Sequence, residues 1–184
     1  MTQVYRLKTQ GASPVDLPLM KSYMKVTSAS DDTLIQLLID SATQFGENYT
    51  GRDFRIKTWD VLLDSFDDCI TLNRDPVDSI VTITRLVSGS PVTVSADVFY
   101  LKKLAQFAQV LLNDGEDWPD DMDERDQTIN IEFTTEPFFY LNEIKNAILR
   151  HVTYVYSNRG DCSKETAITS GATIIYDQFR ISRV

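Results

Sequence analysis

The chain has 184 residues, 42% hydrophobic and 24% charged, which excludes a disordered or fibrous polymer and fits a well-cored domain with or without an insertion. Its 27 acids against 18 bases leave a net charge of −9, which argues against affinity for nucleic acid or an anionic membrane, because phosphate binding needs clustered Lys and Arg. Cys69 and Cys162 match no ligand spacing and are expected reduced in an intracellular product; the polar start MTQVYRLKTQ is unlike a signal peptide, and no apolar run is long enough to predict a membrane span.

Val4 to Thr9, VYRLKT, alternates as a short strand or an extended arm does, and GASP then breaks it. Asp16 is placed to cap a short helix from Leu17 to about Lys25, with Pro18 tolerated in its first turn. After TSASDD, with Ser30 as the expected N-cap, a helix is predicted from Asp31 to about Tyr49. Its stripe is Leu34, Leu38, Ala42, Phe45 and Tyr49, widened by Ile35 and Ile39 and extended by Leu37. So wide an apolar arc predicts contacts on more than one side. Gly51 then fits the left-handed C′ position, and Arg52 follows where the helix dipole favours a cation.

From Phe54 the pattern alternates, FRIKTWDVLLDSF, with Arg55, Lys57, Trp59 and Val61 on one side. Strand-like runs follow in CITL, SIVTITRLV, VFYL, FAQVLL and TINIEF, separated by the turn-bearing stretches NRDPVD, SGSP, NDGEDWPDD and MDERDQ. A last amphipathic helix is predicted from about Leu141 to Ser157 on Ile144, Ile148, Val152 and Val155, then a flexible loop, NRGDCSKETAITSG, and a short apolar segment. The predicted fold class is therefore α+β: a helical body of two N-terminal helices (14–53) plus a long C-terminal helix (138–160), with an antiparallel β insertion (54–135) and a tail (161–184).

A catalytic site needs a nucleophile, a base or a metal cage, and none is marked. His151 is the only histidine and reads as structural; no G-x-S-x-G, glycine-rich phosphate cradle or P-loop occurs. Neither a catalytic residue nor a cofactor is expected, and the chain is not read as an enzyme. The NYT triplet at Asn48 fits a glycosylation sequon but falls at a helix end. The acidic run Asp114 to Asp126 offers the oxygens that hard cations want, so a small Ca- or metal-binding β-rich protein is the alternative reading. It lacks the EF-hand glycine and is interrupted by Pro119, so a solvated, self-repelling loop anchored by Trp118 is the preferred one, and no metal is expected.

The order of motifs resembles the head–tail connector (adaptor, head completion) family of tailed bacteriophages. The likeness runs from VDLPLMKSYMKV through DDTLIQLLIDSATQFGENYTGRDF, TWDVLLDSF and ITLNRDPVDSIVTIT to DWP, TINIEF, IKNAILRHVTYVYSNRG and YDQFR. The paired Asp, the apolar helix, the Glu a turn before its end and the Thr-Gly-Arg that follows are its most specific part.

The resemblance implies a single connector domain over 1–184 with a structural role in the virion neck. Such proteins form a homo-oligomeric ring, typically a dodecamer, beneath the portal; the ring extends the DNA channel and receives the next neck or tail component, a stopper or tail-completion protein. The protein would be made in the host cytoplasm, and DNA would pass through the lumen without specific binding; no membrane partner is implied. Leu34, Ile35, Leu38, Ile39, Phe45, Tyr49 and Arg52 become the expected oligomer interface. The terminal element places portal docking on Ile174, Ile175, Tyr176, Phe179, Arg180 and Arg183.

Overall fold

A computed structural model describes residues 3–159 and 165–181, an α+β chain with antiparallel sheets and five helices. Cys162 and Arg183 lie outside the described residues. The chain divides into two compact units, Met1–Gly11 with Ile56–Glu136, and Ala12–Arg55 with Pro137–Val184.

The first unit is built of strands. β1 (Val4–Gln10), β2 (Lys57–Leu63), β4 (Val77–Val87), β5 (Ser90–Thr93) and β8 (Ile129–Thr135) form one sheet in the order β1-β2-β8-β4-β5. β3 (Cys69–Leu72), β6 (Phe99–Lys103) and β7 (Ala108–Leu112) form a second sheet in the order β3-β7-β6. Period-two burial explains the pairing. Trp59, Val61 and Leu63 of β2 sit opposite Phe133, Ile131 and Ile129 of β8, all buried, while the alternate residues stay partly wet. Ile70 and Leu72 of β3 and Ala108 and Val110 of β7 complete that core. Each fully buried aliphatic side chain here contributes about 1.5–3 kcal/mol.

Two expectations change in this unit. β2 begins at Lys57, not Phe54, because Phe54 is buried among the helices. The SGSP stretch, read as a separator, contains a hairpin: Ser88 (φ 51) and Gly89 (φ 78) form a two-residue turn, and β5 pairs back on β4 from Val87↔Ser90. Two consecutive positive φ values suit the right-handed twist of a tight hairpin.

The second unit holds α1 (Leu17–Met24), α2 (Asp32–Thr50), α3 (Leu141–Ser157), α4 (Thr166–Thr169) and α5 (Ala172–Asp177). Asp16 caps α1 by accepting the Leu19 N–H at 2.9 Å. Its core joins Met20, Ile35, Ile39, Ala42, Phe54, Ile144, Ile148, Val152 and Tyr176; Val155 of the predicted stripe is only half-buried. Ser30 is not the cap of α2. That position is Asp31, whose carboxylate instead takes the Tyr156 hydroxyl and Arg159 Nη2, each at 2.6 Å, and so ties the start of α2 to the end of α3. The stretch expected as a flexible loop contains the single turn α4, held by a buried Ala167, and the apolar terminal segment is the helix α5.

Gly51 closes α2 at φ 76, its N–H donating to the Glu47 carbonyl at 3.0 Å. A Cβ there would meet only Ile181 at 3.6 Å, an ordinary contact, so the left-handed backbone alone excludes other residues. Gly51→Val is expected to lower stability by about 1–2 kcal/mol, read from the urea midpoint followed by helical ellipticity.

Candidate assembly surfaces

The sequence GENYTGRDFR folds into a dense corner after α2. Glu47 is 1% exposed and Arg55 5%, and they form a bidentate pair at 3.3 and 3.2 Å. Glu47 Oε1 also accepts the Phe54 N–H at 3.0 Å, so the carboxylate fixes the turn's backbone as well as its cation. Thr50 Oγ1 donates to the Gly46 carbonyl at 2.8 Å and accepts the Arg52 N–H at 3.2 Å. The tail is tied to the same place: Arg52 Nε donates to the Phe179 carbonyl at 2.8 Å, and the Ile181 N–H to the Thr50 carbonyl at 2.9 Å. The Arg52 guanidinium also lies over the Phe138 ring, 4.4 Å from the centroid.

This corner sorts the interface residues expected on α2. Ile35 and Ile39 are wholly inside the helical core, and Arg52 is buried. Leu34, Leu38 and Tyr49 are half-buried, and Phe45 is exposed. Leu37, left outside the expected set, is the most open apolar residue of the helix at 64%. In the tail, Tyr176 is fully buried, Ile175 and Phe179 are half-buried, and Ile174 and Arg180 are exposed. Arg180 lies over the Tyr49 ring, and the Tyr49 hydroxyl donates to Asp177 at 2.6 Å, which raises the phenol's pKa.

One surface was not foreseen. Phe138, Phe139 and Tyr140 lead into α3, with Tyr140 stacked on Phe179 at 5.1 Å and Phe139 against Tyr140 at 4.2 Å. Phe138 is buried, whereas Phe139 is 74% exposed. Three consecutive aromatics before a helix were the available signal, since a buried one there pins the chain and its neighbours are left outside.

The acidic loop is tied down by specific bonds. Asp123 accepts the N–H groups of Ser88 and Gly89 at 2.7 and 2.9 Å, closing the β4–β5 turn, and Asp121 pairs with Arg85 at 2.7 Å. Trp118 stacks on Phe66 at 4.4 Å and donates its indole N–H to the Asp67 carbonyl. Among the described residues no group of three or more His, Cys, Asp or Glu side chains is placed to hold a metal ion.

His151 is buried against Phe45, ring edge to ring face at 5.3 Å, with Nε2 at 3.3 Å from Thr166 Oγ1. Its Nδ1 is buried with no hydrogen-bond partner among the described residues. Burial lowers its pKa from the usual 6.5. The unfolded chain therefore takes up the proton first as pH falls, so stability drops from about pH 6.5 downward and levels off below the folded-state pKa. His151→Gln is expected to flatten urea midpoints between about pH 7 and 5.

Residues 15–85 match the model of the phage gp6-like head-tail connector family. No curated protein matches the chain by sequence. Among solved structures, a chain from the neck of an empty gene transfer agent (GTA) particle, computed with C6 symmetry, aligns with TM-score 0.78 at 15% identity over 98% of this chain and 97% of that one. A chain of the native GTA virion aligns with TM-score 0.78 at 16% identity, covering 98% and 96%. A third, from the neck of the native GTA particle computed with C12 symmetry, aligns with TM-score 0.69 at 18% identity, covering 97% of both. At these identities the likeness is one of fold.

Proposed function

We propose that this chain, whose residues 15–85 match the model of the phage gp6-like head-tail connector family, is a non-enzymatic structural protein of the virion neck. In this reading copies assemble as a ring, a dodecamer, beneath the portal; the ring extends the DNA channel and links the filled head to the next neck or tail component. The match over 15–85 carries the reading, because those residues contain the corner that locks α2, and the fold likeness to neck chains supports it.

Within the ring, the accessible side chains of α2 meet a neighbour: Leu34, Leu38, Phe45 and Tyr49, joined by Leu37. Ile35, Ile39 and Arg52 hold that helix in its own core. Ile174, Ile175, Phe179 and Arg180 dock on the portal with Tyr176 as their internal anchor; Arg183, also expected there, lies outside the described residues. A net charge of −9 suits a lumen along which duplex DNA slides, since carboxylates repel phosphate.

Electron microscopy of particles made without this protein tests the proposal. Filled heads that leak DNA and carry no tail are the expected result. Normal tailed particles, or purified chain that neither self-associates nor binds portal, would sink it.

A further inference from the structure

The strand unit is charged in opposite senses at its two ends. β6 and β7 pair from Phe99↔Leu112 to Lys103↔Ala108, and Leu104 to Phe107 form the tip, closed by the Leu104 N–H on the Phe107 carbonyl at 2.9 Å. At this tip Leu104 and Phe107 are exposed apolar residues, and Lys102 and Lys103 are exposed beside them. They are the only adjacent pair of lysines in an acidic chain. Lys103 reaches Asp78 only at 3.8 Å, with both side chains about half open.

The other end of the same hairpin runs into the acidic loop. Asn113 follows β7 there, its N–H on the Val98 carbonyl, and Asp114 to Asp126 carry eight acids against one base, Arg125. Asp121 and Asp123 are engaged within the chain, but Asp114, Glu116, Asp117, Asp120, Glu124 and Asp126 are exposed. The half-buried Phe66, Trp118 and Met122 give that end apolar surface as well.

A five-residue strand spans roughly 15 Å, so the lysines of the tip cannot reach the acids of their own loop. Copies that each carry a charge of −9 repel, and a contact between them that sets exposed cations against carboxylates offsets that repulsion. We infer that the β6–β7 tip of one copy docks on the acidic end of the strand unit of the next, with Leu104 and Phe107 against the surface of Phe66 and Trp118, and Lys102 and Lys103 on the acids around Asp117 and Asp120. Tip and receptor are different surfaces, so the contact is head-to-tail and propagates into a ring when its rotation closes. The inference rests on the ring reading above and names one of its contacts.

The test is sedimentation velocity of the full chain across a salt series, with three proteins. Wild type should associate, more weakly as salt rises. Lys102→Glu with Lys103→Glu should weaken association about tenfold or more at low salt, with ellipticity unchanged. Adding Asp117→Lys and Asp120→Lys to that variant should restore association, because the pairs are remade with charges exchanged. Association equal to wild type in the tip variant, or no recovery in the exchanged one, overturns this contact while leaving the neck role intact. A wild type that stays monomeric at every concentration overturns the contact, and one that also fails to bind portal overturns the ring with it; particles that keep tails without the protein overturn the neck role alone.

Discussion

Replacing Glu47 with alanine is expected to destabilise the helical unit by about 3–5 kcal/mol, the scale of a broken buried ion pair. Arg55 would remain buried with Asp40 at 4.0 Å as the acid still near it, and the Phe54 N–H would lose its acceptor. The loss measures what is left unsatisfied more than the attraction removed. Glu47→Leu combined with Arg55→Met should therefore recover much of the stability that either change alone removes, giving a large coupling energy in a double-mutant cycle. Urea unfolding followed by helical ellipticity reads the effect. Trp59 and Trp118 are the only tryptophans and both lie in the strand unit, so fluorescence follows that unit separately. A Glu47→Ala loss below about 1 kcal/mol would contradict the corner's role.

The tail provides the second large effect and a contrast within two residues. Tyr176 is fully buried, stacked on Phe54 at 6.0 Å, and both rings press on Gly46, where a Cβ would come within 2.8 Å of Tyr176 and 2.6 Å of Phe54. Tyr176→Ala should cost about 3–5 kcal/mol, because the cavity left by an aromatic ring relaxes only in part. Tyr176→Phe should be neutral or mildly stabilising. The hydroxyl is buried with no hydrogen-bond partner among the described residues, and burial together with the nearby Glu47 carboxylate raises its pKa far above the ordinary value. Ile174→Ser, at a site 68% exposed, should change stability by no more than about 0.5 kcal/mol and report on docking alone. A portal-binding defect in the Ile174 variant with an unchanged melting midpoint is the expected pattern.

Regular elements were legible where one period dominated. Trp59, Val61 and Leu63 alternate cleanly, and Ile144, Ile148 and Val152 recur at four-residue spacing, so β2 and α3 follow from burial of one face. On α2 the apolar arc was too wide to choose a side, and only the packing of Ile35 and Ile39 against α3 and α5 leaves Leu37 outside. β5 escaped because Ser88 to Pro91 were read together as a separator, when only Ser88 and Gly89 form the turn and the strand begins again at Ser90. Asp31 was expected only as the first residue of the helix after a Ser30 cap. Its hydroxyl and guanidinium partners lie 125 and 128 residues away, a distance at which no local pattern carries information. The Glu47–Arg55 pair is eight residues apart across a left-handed glycine, so helical spacing could not reveal it; the motif was recognisable, but its chemistry was not.

The bonds from Arg52 to the Phe179 carbonyl and from Ile181 to the Thr50 carbonyl make the end of α2 and the tail one linked equilibrium. A ligand that draws residues 177–181 away must first break both bonds and lift Arg180 from Tyr49, so its apparent affinity is lowered by the population of the released tail. By reciprocity, whatever steadies Tyr49 and Thr50 from the outside face of α2 strengthens the hold on the tail, and occupancy of one surface is felt as a change in affinity at the other.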